Sequence, residues 1–110
     1  GINIIVGYPG EGEAEFMETV DFVRRNRDHI GRVINLSSLA IHAGSAISRD
    51  LGRYGISYRE DGTWQDATGL DLELRNERID RMLELLEELQ LAPHVINREI
   101  AETLKPEQGC

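Results

Sequence analysis

Ile2-Asn3-Ile4-Ile5-Val6-Gly7-Tyr8-Pro9-Gly10-Glu11-Gly12 is the stretch on which the fold turns. The first five residues are a β-branched run broken only by Asn3, the composition of a parallel strand covered on both faces. Residues 7–12 are dense in glycine and proline, which end regular structure and permit unusual φ. From Glu13 to Arg27 the pattern is helical: Phe16, Val20 and Val23 fall on one face, with Met17 beside them. Glu13, Glu15 and Glu18 lie early and Arg24, Arg25 and Arg27 late, the order that suits a helix dipole. Gly31 closes the connection, and Arg32 to Leu36 reads as a second strand. Strand, helix and strand in succession form one βαβ unit, so the two strands are expected to be parallel with a right-handed crossover.

Working outward, the 110 residues suit a single domain able to bury roughly two-thirds of its unfolded surface. Twelve basic residues against twenty acidic ones give a formal net charge of −8, which argues against a nucleic-acid partner. No apolar run approaches the ~20 residues of a membrane span. The one cysteine, Cys110, excludes an internal disulfide framework and a multi-cysteine metal site within these residues. A reduced cytosol is the default compartment for such a chain. No secretory signal pattern precedes the first strand, and a strand that begins at residue 2 leads us to expect a piece of a longer polypeptide.

Three segments are expected: 1–44, the βαβ unit; 45–70, a short helix and an irregular connection; and 71–110, a helical region with a short tail. Ser37 to Gly44 reads as a loop, and Ser45 as the cap of a short helix ending near Gly52. Tyr54 to Trp64 reads as irregular, with Trp64 a packing residue. Asp71 to Gln90 is the longest helical pattern, striped by Leu72, Ile79, Met82, Leu83, Leu86 and Leu89. Its i,i+4 pairs, Asp71 with Arg75 and Glu77 with Arg81, are worth about 0.2–0.5 kcal/mol each. Pro93 ends it, and Val95 to Leu104 is expected to form a last short helix.

Chemistry is expected at the carboxyl ends of the strands, where loops converge on helix N-termini. The glycine-rich loop lets main-chain amides approach a ligand, but Glu11, Glu13 and Glu15 would repel a phosphate, and no Gly-Lys-Ser/Thr ending is present. Those carboxylates suit hydroxyls or a cation such as an amine or sulfonium. The competing reading is that Gly7, Pro9 and Gly10 only make a tight turn. After the second strand, Asn35, Ser37, Ser38, His42 and Ser45 supply hydrogen-bonding groups at the same end of the sheet. His42 is a candidate general base or ligand, which leaves an ordinary hydrolase or isomerase open. His29 and His94 lie near helix ends, and Glu84, Glu87 and Glu88 read as a solvated helix face.

Ile4-Ile5-Val6-Gly7-Tyr8-Pro9-Gly10-Glu11 followed by an acidic amphipathic helix resembles the later half of the radical S-adenosylmethionine barrel, whose members carry an apolar strand ending in Gly-x-Pro-Gly-Glu-Thr. Ala43-Gly44-Ser45 loosely matches that family's next strand-end Pro-Gly-Thr segment. Tyr54-Gly55-Ile56, Trp64 and the arginines Arg75, Arg78 and Arg81 also look like it. The likeness is greatest to the subgroup with a cobalamin-binding domain, which includes the anaerobic oxidative cyclase of Mg-protoporphyrin IX monomethyl ester. Gly12 stands where the family has threonine and Ala43 where it has proline, and Cys-x-x-x-Cys-x-x-Cys is absent from these residues.

The resemblance implies an α/β fold, a βαβ unit from the later part of a parallel β/α barrel, followed by a mainly helical region. It implies that Gly7, Pro9, Gly10 and Glu11 lie near the nucleoside of S-adenosylmethionine, and that Asn35, Ser37 and Ser38 face the barrel mouth. The 4Fe-4S cluster, S-adenosylmethionine and any cobalamin would belong to the parent protein, with the upstream part of the same polypeptide as partner and a small molecule as substrate. The 110 residues alone are then expected to be inactive, to bind S-adenosylmethionine weakly or not at all, and to self-associate through uncovered strands. The alternative is a self-standing α/β interaction or small-ligand module without catalysis.

Overall fold

A computed structural model describes residues 1–39, 41 and 44–98. Two strands, β1 (Ile2–Val6) and β2 (Val33–Ser38), flank helix α1 (Glu13–Arg25) and are parallel. The helix stops at Arg25 rather than Arg27: Asn26 caps it through N–H bonds to Arg24 and Phe22, and a 3-10 turn (Arg27–His29) follows. Strand β2 runs two residues further than the sequence indicates, because Leu39 N–H goes on to bond Val6 O at 3.0 Å and keeps the pairing alive. Ser37 and Ser38 are therefore strand residues. A register irregularity near the start of the pair sets Ile2 opposite Val33 and Asn3 opposite Asn35.

The short helix α2 (Ala46–Arg49) is capped as expected, with the Ser45 hydroxyl accepting from Ser48 N–H at 3.2 Å. The stretch read as irregular is instead a β-hairpin, β3 (Ile56–Tyr58) antiparallel to β4 (Trp64–Asp66). Its turn is closed by Arg59 N–H to Thr63 O at 2.8 Å, with Gly62 at φ +84 beside Asp61. Helix α3 (Leu72–Glu88) begins where Asp71 accepts from Leu74 N–H at 2.9 Å. The expected last helix is corrected as well. Val95 to Asn97 is strand β5, parallel to β2 and paired with Asn35, Leu36 and Ser37. β2 offered an open edge, and β-branched Val95 and Ile96 suit it better than a helix. Residues 99–104 of that expected helix lie outside the described residues.

The main sheet thus has the order β1-β2-β5, all parallel, each strand laid down on the same side as the chain advances. The sheet is open; three strands close no barrel. Both long helices cover one face of it. Ile4, Val6 and Leu36 from the strands bury against Phe16, Val20 and Val23 of α1 and Ile79, Met82 and Leu86 of α3. The hairpin carries a second, smaller core of Ile56, Trp64 and Leu70, joined by Leu39, Ile47 and Leu74. Among the described residues no element covers the opposite face of the sheet, where Asn3, Ile5, Val95 and Asn97 are exposed. This corrects the reading of β1 as covered on both sides, and it explains the position of Asn3, which faces water. Among the described residues no helix is long and apolar enough to cross a membrane.

Candidate functional site

The loop from Gly7 to Gly12 leaves the carboxyl end of β1 and enters α1, and two other elements fix its shape. Gly7 and Gly10 both take φ +84, the left-handed region that favours glycine. Gly7 has a second reason to lack a side chain. A Cβ there would stand 2.7 Å from Cδ and 2.8 Å from Cγ of Arg75, a fully buried residue of α3. The Arg75 guanidinium lies 3.9 Å from the centre of the Trp64 ring and donates to Trp64 O at 2.8 Å, so β4 and the loop meet on one arginine.

Its neighbours along the helix continue the pattern. One turn on, Arg78 donates through one nitrogen to Glu11 Oε1 at 3.0 Å and to Glu11 O at 2.6 Å. A further turn on, Arg81 forks onto both Glu13 oxygens at 2.9 and 2.6 Å, which holds the Glu13 carboxyl below its ordinary range. Arginines at i, i+3 and i+6 of α3 thus grip the loop and the start of α1 in order, at Gly7, Glu11 and Glu13. Gly12 caps α1 with main chain alone, consistent with its lack of a side chain.

Three amides of this loop are bonded within the chain, that of Glu11 to Tyr8 O at 2.8 Å. Gly7 N–H donates to Glu11 Oε1 at 3.1 Å, and Gly10 N–H donates to Asp66 Oδ2 at 2.6 Å. The second Asp66 oxygen accepts from Thr68 Oγ1 at 2.6 Å, Thr68 N–H at 2.9 Å and Leu70 N–H at 3.1 Å. Burial pushes the Asp66 carboxyl up, but the Thr68 hydroxyl and the amides of Gly10, Leu70 and Thr68 together hold it below the ordinary aspartate value. Two carboxylates of the chain, Glu11 and Asp66, thus take the amides of Gly7 and Gly10.

The remaining site residues are divided by strand alternation. Asn35 and Ser37, both half-buried, belong to the open face, where Asn97 Nδ2 donates to Asn35 Oδ1 at 3.0 Å. Ser38 belongs to the helix-covered face, buried, its hydroxyl without a hydrogen-bond partner. Around the loop, Tyr8 is exposed, Pro9 half-buried and Gly10 exposed. His42 lies outside the described residues, as does Cys110. The open face carries a row of polar side chains, Asn3, Asn35, Ser37 and Asn97, flanked by Ile5 and Val95. Among the described residues no group of three His, Cys, Asp or Glu side chains converges as a metal site would require.

Three residues that organise this region carry faint sequence signals. Arg75 and Arg78 occupy the gap in the apolar stripe of α3 between Leu72 and Ile79, a gap that marks charge turned inward. Asp66 opens the second of two Asp-x-Thr triplets, and in both, at Asp61 and Asp66, the carboxylate accepts from the threonine hydroxyl and amide two residues on. Comparison with protein-family models, with curated proteins and with solved structures finds no match for this chain.

Proposed function

We propose that this chain is the later part of a radical S-adenosylmethionine enzyme, its sheet one arc of a β/α barrel wall. The sheet is the observation that carries the reading. Three parallel strands are added in one direction, α1 and α3 lie on the same side, and among the described residues the other side is uncovered. Parallel sheets are ordinarily buried on both faces. An arc of a barrel satisfies that rule differently, with helices outside and the inner face turned to the barrel's own interior. The polar row Asn3, Asn35, Ser37 and Asn97 then lines the interior, with hydrogen-bonding groups suited to the ribose hydroxyls and amino groups of S-adenosylmethionine.

Within this proposal the Gly7–Glu11 loop supplies shape at the mouth, with the amides of Gly7 and Gly10 held by carboxylates of the chain. Exposed Tyr8 and half-buried Pro9 are its accessible surface. A cluster held by three thiolates does not fit these residues, since the chain has one cysteine. The 4Fe-4S cluster and the chemistry it supplies would therefore belong to the upstream part of the proposed polypeptide. One observation favours the alternative of a module without catalysis: the amides of Gly7 and Gly10 are already bonded to carboxylates of the chain, as a purely structural turn would also have them.

The coding sequence ahead of Gly1 separates the two readings. The barrel reading expects Cys-x-x-x-Cys-x-x-Cys within the roughly 200 preceding residues that a barrel occupies. The longer polypeptide, reconstituted with iron and sulfide and reduced without oxygen, is expected to release 5′-deoxyadenosine from S-adenosylmethionine. A stop codon or an unrelated domain in that interval removes the proposal.

A further inference from the structure

We propose that Met17 is an oxidation site of this chain: a hydroperoxide converts its thioether to the sulfoxide, and Arg81 holds the new oxygen. The site lies between α1 and α3 on the helix layer, so the inference does not depend on what adjoins the open face of the sheet.

The chain has two methionines, and the fold treats them differently. Met82 is fully buried in the main core, whereas Met17 is 38% exposed on the flank of α1 beside α3. It lines a groove between the two helices together with Phe16, Val20 and Leu85, all three buried. A methionine there adds apolar surface to the groove and leaves part of a thioether side chain open to solvent. The chain's other sulfur, that of Cys110, lies outside the described residues.

Arg81 separates Met17 from a methionine that is merely exposed. Its Nη2 donates toward the Met17 sulfur at 3.5 Å, while the guanidinium lies 4.8 Å from the centre of the Phe16 ring and forks onto both Glu13 oxygens. The cation is therefore held in place before any oxidation occurs. Nη2 carries two N–H groups, enough to serve Glu13 and a second acceptor together. In the oxidation, a sulfur lone pair attacks the outer oxygen of the hydroperoxide. The S–O bond forms as the O–O bond breaks, and the proton on the attacked oxygen passes to the departing one. Sulfur loses two electrons, and the peroxide leaves as water or an alcohol. A thioether is a weak acceptor, whereas the sulfoxide oxygen is a strong one, created beside a cation already in position. Without Arg81 the same oxygen would stand against the apolar wall of the groove with only solvent to bond it.

Hydrogen peroxide treatment of the Cys110→Ser chain, followed by peptide mass spectrometry, measures the two methionines separately. In the folded chain Met17 is expected to oxidise at least about tenfold faster than Met82, and in urea the two rates are expected to converge. The part played by Arg81 is read from melting temperatures, each protein being compared with its own reduced form so that loss of the Glu13 fork cancels. Oxidation at Met17 is expected to lower the melting temperature of Arg81→Leu by about 2–4 °C more than that of the chain with Arg81, the shift that one weak hydrogen bond gives in a domain of this size. Met17→Leu is expected to make peroxide treatment without effect on melting in either background. Equal oxidation of Met17 and Met82 in the folded chain overturns the proposal. Equal losses with and without Arg81, or a loss that persists in Met17→Leu, overturn it as well.

Discussion

Removing Glu11 is expected to destabilise the fold far more than its half-buried position suggests, because of what it leaves behind. The Arg78 side chain is 3% exposed; among the described residues its ion-pair partner is the Glu11 carboxylate at 3.0 Å, and it also donates to the Glu11 carbonyl at 2.6 Å. Its Nε already lacks a hydrogen-bond partner. Glu11→Ala strips the guanidinium of its counter-charge and the Gly7 amide of its acceptor at one stroke. An uncompensated buried charge costs about 3–5 kcal/mol, a large share of the roughly 5–15 kcal/mol that holds a small domain together. Arg78→Met keeps an apolar stem in the same space and leaves no buried charge. The decisive variant is the double one. Glu11→Ala with Arg78→Met is expected to be more stable than Glu11→Ala alone by about 2 kcal/mol, since the second change removes the stranded charge and sacrifices only about one ordinary hydrogen bond. Urea unfolding monitored by circular dichroism measures all four proteins of the cycle. Single effects that simply add in the double variant would refute the reasoning. The Arg81–Glu13 fork is a useful control: its contacts are shorter, yet both side chains are well exposed, so its coupling is expected to be the smaller of the two.

Three further outcomes are expected. Gly7→Ala and Gly10→Ala share the same left-handed strain of about 1–2 kcal/mol, but only at Gly7 does the new methyl meet buried Arg75, so Gly7→Ala is expected to lower the melting temperature more; equal effects would contradict the close approach. Gln90 takes φ +59 just past the end of α3, where Leu91 N–H bonds Leu86 O, so Gln90→Gly is expected to stabilise by about 0.5–1 kcal/mol, and a lower melting temperature would contradict this. Asp66 has its folded pKa lowered, so its stabilisation is complete above the ordinary value of about 3.9 and is lost as pH falls through the lowered one. The free energy of unfolding, measured from about pH 5 down to about pH 3, is expected to fall more steeply for the native chain than for Asp66→Asn, and parallel curves would count against it.

The βαβ unit was legible because apolar periodicity changes from 2 to 3.6 and back within a few dozen residues, and the packing follows that pattern at Ile4, Val6, Phe16, Val20 and Val23. What stayed hidden depended on partners distant in sequence. Val95 to Asn97 is too short to show a period, and it is a strand only because β2 presented an edge. The hairpin was announced more audibly, by Asp61-Gly62 between two β-rich triplets, but neither triplet is long enough to alternate. At the candidate site, the position of the loop and its unsuitability for phosphate could be read from Gly7, Gly10 and Glu11. The contacts that hold the loop could not, since they come from Asp66 and Arg78, 56 and 67 residues away from their loop partners. Ser37 and Ser38 are neighbours in sequence and lie on opposite faces, a separation that follows once the strand is known to reach them.

The proposal turns on the open face of the sheet being the inner wall of a larger barrel, and Ser37 reports on it directly. With Cys110 replaced by serine, Ser37→Cys places one thiol on that face, and its rate of alkylation can be followed in the 110-residue chain and in the longer polypeptide. The barrel account predicts rapid labelling of the chain alone, strong slowing in the longer polypeptide, and further protection by S-adenosylmethionine. Equal rates in both, unaffected by S-adenosylmethionine, would mean that the face lines no interior and would contradict the account.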